Sequence, residues 1–150
     1  VGHWPLDPLG TLCSERHRGC AQTVLASDGI CASVSAALGR TVSYDEALDL
    51  AIQGVSAARV VVDGAGKGLG YLLAAIANLT MPELVVLGGE GVRLVHVAGQ
   101  SLRAGIAERR HPSASEINIL TTSGDDIEWC RGAAVLAMQA HVPRDDAAGE

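Results

Sequence analysis

Gly2-His3 and, after nine further residues, Cys13-Ser14-Glu15-Arg16-His17-Arg18-Gly19-Cys20-Ala21-Gln22 form the stretch on which the reading of this chain turns. One histidine and two cysteines converge in a run that also holds Pro5, Pro8 and Gly10, residues that favour loop over helix or strand. Imidazole nitrogen and thiolate sulfur are the usual zinc ligands, and a loop can wrap them around one ion. Beyond the loop, the sequence from about 22 to 39 turns helical, as two short helices broken near Ser27-Asp28-Gly29 and stopped at Gly39. Ser43-Tyr44-Asp45-Glu46 has the pattern of a capping box, in which hydroxyl and carboxylate satisfy each other's free backbone N–H groups. It opens a helix with Ala47, Leu48, Ala51 and Ile52 on one face, ending near Gly54.

A long helix is predicted from about 56 to 79, with Val61, Ala65, Leu69, Leu72, Ile76 and Leu79 recurring at helical spacing. Asp63 and Lys67 stand as an i,i+4 pair, and Gly64 and Gly68 make a small-residue face against which something packs closely. Pro82 ends this helix, and Glu83-Leu84-Val85-Val86-Leu87 reads as a buried strand closed by Gly88-Gly89. The region from 92 to 110 reads as one helix with Leu94, Val95, Ala98, Leu102 and Ile106 inward. A second strand follows at Ile117-Asn118-Ile119-Leu120, and a last helix runs over 126–141, capped by Asp125. In that helix Trp129 is expected to pack on a neighbour, and Cys31 and Cys130, set in apolar stretches, read as buried thiols. Helix–strand–helix–strand–helix order gives an α/β class with a parallel strand pair and an incomplete sheet. Residues 1–142 form one unit, a metal loop over 1–22 and a helical and α/β part over 23–142, followed by a polar tail over 143–150.

The chain has 150 residues, 48% of them apolar, with no Phe, so the core rests on Ala, Val, Leu and Ile. A formal net charge of −6, with Lys67 the only lysine, argues against a nucleic-acid-binding face on this segment. No run of eighteen uncharged apolar residues and no basic-then-apolar leader is present, so the expectations are no membrane span, sparse cysteines held reduced, and a cytoplasmic setting.

The first stretch resembles the signature of the ROK family of repressors, open reading frames and sugar kinases. That signature is a Gly-His, then Cys-x-Cys-Gly-x-x-Gly-Cys-x-Glu at this spacing. Gly2, His3, Cys13, Gly19 and Cys20 match it, whereas Glu15 replaces a Cys, Arg16 a Gly and Gln22 a Glu. Gly68-Leu69-Gly70 through Leu79, Pro82 to Gly89, and Gly132-Ala133-Ala134 resemble the C-terminal lobe of the same family. The chain therefore looks like about the C-terminal half of a longer protein, read into mid-motif at Val1. The fold implied is the helix-rich part of an actin-like, ribonuclease-H-like lobe.

The resemblance implies a structural zinc on His3, Cys13, Glu15 and Cys20, with His17 able to substitute for the hard carboxylate of Glu15. The bland alternative is that Cys13 and Cys20 are leftover loop thiols. It also implies hydrogen bonds from His3 and Gln22 to sugar hydroxyls, although Gln22 reads equally as a helix-surface residue. Gly88 and Gly89 would admit an adenine and ribose, or else are an ordinary strand-end turn. Trp4 can line a pocket or anchor the loop, and His96 and His111 are expected not to ligate. The catalytic Asp of the family's kinases belongs to a segment this chain lacks, so the chain alone is not expected to catalyse. The expected role is the effector-binding and oligomerisation lobe of a ROK-type transcriptional regulator. Its partners would be a small sugar or sugar phosphate and further copies of itself, with DNA reached only through an upstream domain. The alternative is the C-terminal part of an ATP-dependent sugar kinase.

Overall fold

The computed structural model describes residues 2–122 and 126–141. The cysteine loop leads into α1 (Ala21–Val24), α2 (Ser27–Leu38), α3 (Tyr44–Ile52) and α4 (Ser56–Thr80). Strand β1 (Val85–Leu87), a single 3-10 turn (Glu90–Val92), α5 (Arg93–Val97), α6 (Gly99–Arg109), β2 (Ile119–Thr121) and α7 (Asp126–His141) follow. The first two helices part at Leu25-Ala26 rather than at Ser27-Asp28-Gly29, because Ser27 opens α2. Gly39, left-handed at φ 67°, donates its N–H to Ser35 and closes α2, as a glycine can without steric cost. Ser43 caps α3 by accepting the Glu46 N–H at 3.2 Å. Glu46 does not complete the capping box: its carboxylate pairs with Arg40 at 2.7 Å.

The core lies where α2, α3, α4 and α5 meet, built on Ile30, Val34, Leu48, Val62, Ala65 and Leu94. The predicted inner face of α4 is corrected. Of its six residues only Ala65 is buried, and Leu79 is 77% exposed. The buried row is Ala58, Val62, Ala65, Gly66, Gly68, Gly70, Leu73, Ala74 and Ala77, because small residues let α6 approach the backbone of α4. Nor do Asp63 and Lys67 pair with each other. Asp63 takes Arg59 at 2.7 Å and the Ser101 hydroxyl at 2.9 Å, and Lys67 takes Glu108 at 2.7 Å. By length and apolar content α4 matches a membrane span, but half of its apolar window is buried inside this fold.

β1 and β2 pair in parallel, with Val85 opposite Ile119 and Leu87 opposite Thr121. Neither strand is fully buried: Val86 and Leu120 are exposed at the middle of each. The single helix expected over 92–110 is divided at Ala98, whose φ of −106° and ψ of 22° end α5 and start α6; Leu94, Ala98 and Leu102 are buried as expected. α7 has the expected span, yet Trp129 is 72% exposed rather than packed, and Cys130 is exposed as well. Cys31 is half-buried rather than buried; burial first, then the Asp28 carboxylate, pushes its thiol pKa up. The expected cap Asp125 and the tail 143–150 lie outside the described residues.

Candidate functional site

The cysteine loop is folded by its own backbone. Gly19 C=O accepts both the Leu6 and Asp7 N–H groups at 2.9 Å, and Gly19 N–H donates to Thr11 C=O at 2.8 Å. Ala21 N–H donates to Trp4 C=O at 2.8 Å and Gln22 N–H to Gly2 C=O at 2.7 Å, which lays the Gly2-His3 segment against the start of α1. Trp4 thus anchors the loop through its backbone, with a side chain 42% exposed. Between Cys13 and His17 the chain makes a tight turn: Arg16 N–H donates to Cys13 C=O and Cys13 N–H to His17 C=O, each at 2.9 Å.

That turn needs a left-handed residue at Arg16, φ 61°. A residue with a Cβ in this region costs about 1–2 kcal/mol relative to glycine. Arg16→Gly is therefore expected to stabilise the loop by about 1 kcal/mol. Hydrogen exchange at the Arg16 and His17 amides measures it, and unchanged or faster exchange would contradict this account.

The loop gathers the donor atoms of His3, Cys13 and His17, with Cys20 joined through His3. His3 Nδ1 is 3.6 Å from Cys13 Sγ and 3.7 Å from Cys20 Sγ, and His17 Nδ1 is 3.8 Å from Cys13 Sγ. The His3 and His17 rings lie 4.7 Å apart, and the donor atoms of His3, Cys13 and His17 all fall within 4.8 Å of one another. Tetrahedral zinc, with zinc–sulfur and zinc–nitrogen bonds of about 2.3 and 2.05 Å, has nitrogen–sulfur edges of about 3.6 Å. His3, Cys13 and His17 therefore fit such an ion in both chemistry and spacing, and Cys20, 3.7 Å from His3, supplies a further thiol at the edge of the group. Burial pushes the Cys20 thiol up, but hydrogen bonding from His3, from the backbone of Thr23 and Gln22 and from Cys13 outweighs it and brings the pKa from 9.0 to about 7. Cys20 is also the N-cap of α1, where the Thr23 and Gln22 N–H groups turned toward its sulfur favour a thiolate.

Of the sequence-predicted ligands, His3, Cys13 and Cys20 come together. Glu15 contributes no atom to the group, and His17 does. Both contacts of His3 use Nδ1, leaving Nε2 for another partner. His96 and His111 are exposed and outside the group. Gln22, exposed in the first turn of α1, is joined to the His3 segment through the backbone.

Gly88 and Gly89 occupy a different part of the fold. A Cβ on Gly88 would meet Thr122 Oγ1 at 2.5 Å, and Gly89 turns left-handed at φ 100°. The segment after them is tied to α3: Tyr44 OH donates to Gly91 C=O at 3.0 Å, and Arg93 pairs with Asp45 at 2.7 Å and with Asp49. Sequence reasoning missed this clamp, whose signal was Tyr44 and two acids one helical turn apart facing a lone Arg93. A cavity of about 530 Å³ lies between the cysteine loop, α2 and α4, with Asp7, Thr11, Ser33, Lys67 and Tyr71 among its lining. Neither His3, Gln22, Gly88 nor Gly89 lines it.

The sequence profile of the ROK family matches residues 1–140. The chain belongs to the ROK family. It is 31% identical over 134 residues to an N-acetylmannosamine kinase of Vibrio vulnificus, covering 89% of this chain and 44% of that protein. It is 25% identical over 146 residues to the DNA-binding transcriptional repressor Mlc of Escherichia coli, covering 91% of this chain and 36% of the repressor. A ROK family glucokinase from Streptomyces griseus, solved in complex with glucose and AMPPNP, superposes with a TM-score of 0.71 at 20% identity, over 92% of this chain and 50% of that one. ROK relatives of this chain thus include both a repressor and sugar kinases, and the chain spans less than half the length of the two sequence relatives. The structural likeness gives it the fold of the family's actin-like sugar kinases, of which it supplies a helix-rich portion with a two-stranded parallel sheet.

Proposed function

We propose that this chain is the sugar-sensing and oligomerisation lobe of a ROK-family transcriptional regulator. Gln22 carries the reading. It puts a neutral amide where the family signature has a carboxylate, beside the His3 segment to which its own N–H is bonded. An amide offers one acceptor and one donor group where a carboxylate offers two strong acceptors. A kinase must hold the reacting hydroxyl within fractions of an ångström, so a weakened sugar contact costs it rate directly. A regulator needs only a ligand that binds one of two states better than the other. His3 Nε2 and the Gln22 amide would take the sugar hydroxyls. A structural zinc on His3, Cys13 and Cys20 would fix the loop that carries them, without activating a water. DNA contacts would lie in another part of the protein, which fits the net charge of −6 here. The exposed apolar side chains Ile127, Trp129, Leu136 and Met138 of α7 support a surface that is covered when copies associate.

The 31% identity to an N-acetylmannosamine kinase favours a second reading, in which the whole protein transfers phosphate from ATP to a sugar. There Gly88 and Gly89 would approach the adenine and ribose, and the general base would come from elsewhere in the protein. The test uses the full-length protein with N-acetylmannosamine or glucose, with and without ATP. A rise in Tm with sugar and no phosphorylated product is expected. Product formation turns the assignment to the kinase, and neither a shift nor product with any hexose sinks both. Gln22→Glu is expected to tighten sugar binding about fivefold, since a charged hydrogen bond gains about 1 kcal/mol over a neutral one. An unchanged or weaker affinity would remove Gln22 from the sugar site.

A further inference from the structure

We infer that the fourth metal ligand in this chain is His17, not Glu15, so that the loop binds zinc with two thiolates and two imidazoles. The inference rests on the metal reading above and specifies it. The turn closure is the first support: Cys13 N–H donates to His17 C=O, so the two residues face each other across the turn, and paired residues of such a turn project their side chains to the same side. Cys13 Sγ and His17 Nδ1 are accordingly 3.8 Å apart. Position 15 sits at the tip of that turn, between the paired ends, and its carboxylate is not among the donors gathered.

The second support is spacing. Three nitrogen–sulfur separations, 3.6, 3.7 and 3.8 Å, lie at or just above the edge of a zinc tetrahedron, about 3.6 Å. They link His17 to Cys13, Cys13 to His3 and His3 to Cys20, three of the six edges of a closed tetrahedron; Cys20 joins through His3 and lies outside the group whose atoms are all within 4.8 Å of one another, so it must close on the ion as the ion binds. The third is chemical. Imidazole is a borderline ligand that suits zinc beside thiolate, whereas carboxylate oxygen suits harder cations. His17 thus restores a closed four-ligand set at a position two residues beyond the one that lost its cysteine. The left-handed Arg16 makes this reach workable, because it brings His17 back over Cys13.

The experiment is a zinc titration of the full chain and of His17→Ala, Glu15→Ala and His17→Cys, with cobalt as the spectroscopic substitute and circular dichroism as the check on folding. Wild type is expected to bind one zinc, Glu15→Ala to bind it unchanged, and His17→Ala to bind at least about a hundredfold more weakly, since losing even an outer partner of a ligand costs about 10–100-fold. Cobalt in His17→Cys should keep tetrahedral bands while its sulfur charge-transfer intensity rises by about half, three thiolates replacing two. Weakening in Glu15→Ala with none in His17→Ala overturns the assignment and leaves the zinc reading intact. If wild type binds no zinc, the zinc reading itself fails. Should His17→Ala not fold, the cobalt spectrum of His17→Cys decides: an intensity equal to wild type overturns the proposal.

Discussion

Gly70→Ala is expected to lower the stability of the chain by about 3 kcal/mol, although alanine is the better helix former by about 1 kcal/mol. A Cβ at Gly70 would lie 2.2 Å from Leu102 C=O, 2.9 Å from Ile106 N and 3.0 Å from Gly105 Cα. All three are backbone atoms of α6, so no side chain can swing aside, and the two helices must separate. Gly105 stands on the other side of the same contact, its own Cβ position 2.4 Å from Lys67 C=O. Overpacking against backbone belongs at or beyond the top of the usual cost of about 1–3 kcal/mol. Gly64 on the same helix is the control. Nothing lies within 4 Å of a Cβ there, so Gly64→Ala should gain about 1 kcal/mol from helix propensity alone. Denaturant midpoints of the two variants should move in opposite directions. Movement in the same direction would refute the close α4–α6 seam.

Gly19→Ala should be costlier still, about 4 kcal/mol, and confined to the cysteine loop. The residue is left-handed at φ 50°, and its Cβ position lies 1.8 Å from Asp7 C=O, a clash with backbone that no rotamer relieves. Three backbone hydrogen bonds of the loop pass through Gly19, two to its carbonyl and one from its N–H. Forcing it aside releases the segment from Leu6 to Thr11 and withdraws Cys20, its neighbour, from His3. The core around Leu48 and Val62 touches none of these atoms, so amide protection there should persist while protection at Leu6, Asp7 and Gly19 is lost. Uniform loss of protection, or none, would contradict a loop that is held through this one residue.

How much of this was legible beforehand varies by element. α3 and the bounds of α4 could be read because Gly39, Ser43, Gly54 and Pro82 punctuate them with local chemistry. The parallel strand pair was readable from two short apolar runs separated by a helix. The inner face of α4 was not, because a face made of Ala and Gly carries almost no hydrophobic periodicity, and Leu69, Leu72 and Leu79 draw the eye to the wrong side. Gly64 and Gly68 were singled out for close packing, while the closest approaches are at Gly66 and Gly70. The division at Ala98 has no breaker residue of its own beyond the Gly99 that follows. In the loop, family spacing points to position 15. Only the turn geometry, with a non-glycine residue held left-handed at Arg16, brings His17 to the donor group. The exposure of Trp129 was invisible for a plainer reason: apolarity in a sequence says that a surface wants covering, not by what.

His3 has one consequence for thermodynamics. A single imidazole offers Nδ1 to the two thiols and keeps Nε2 for something else. Any ion on the first nitrogen fixes the tautomer and makes the second a donor. A sugar hydroxyl accepting from that second nitrogen is then linked to the ion through one ring. Linkage is reciprocal, so whatever factor the metal adds to sugar affinity, the sugar must add to metal retention. At equilibrium with a chelator buffer, saturating sugar should therefore raise the zinc affinity by the same factor by which zinc raises the sugar affinity, and the histidine would serve as a two-way gauge of carbohydrate and metal supply.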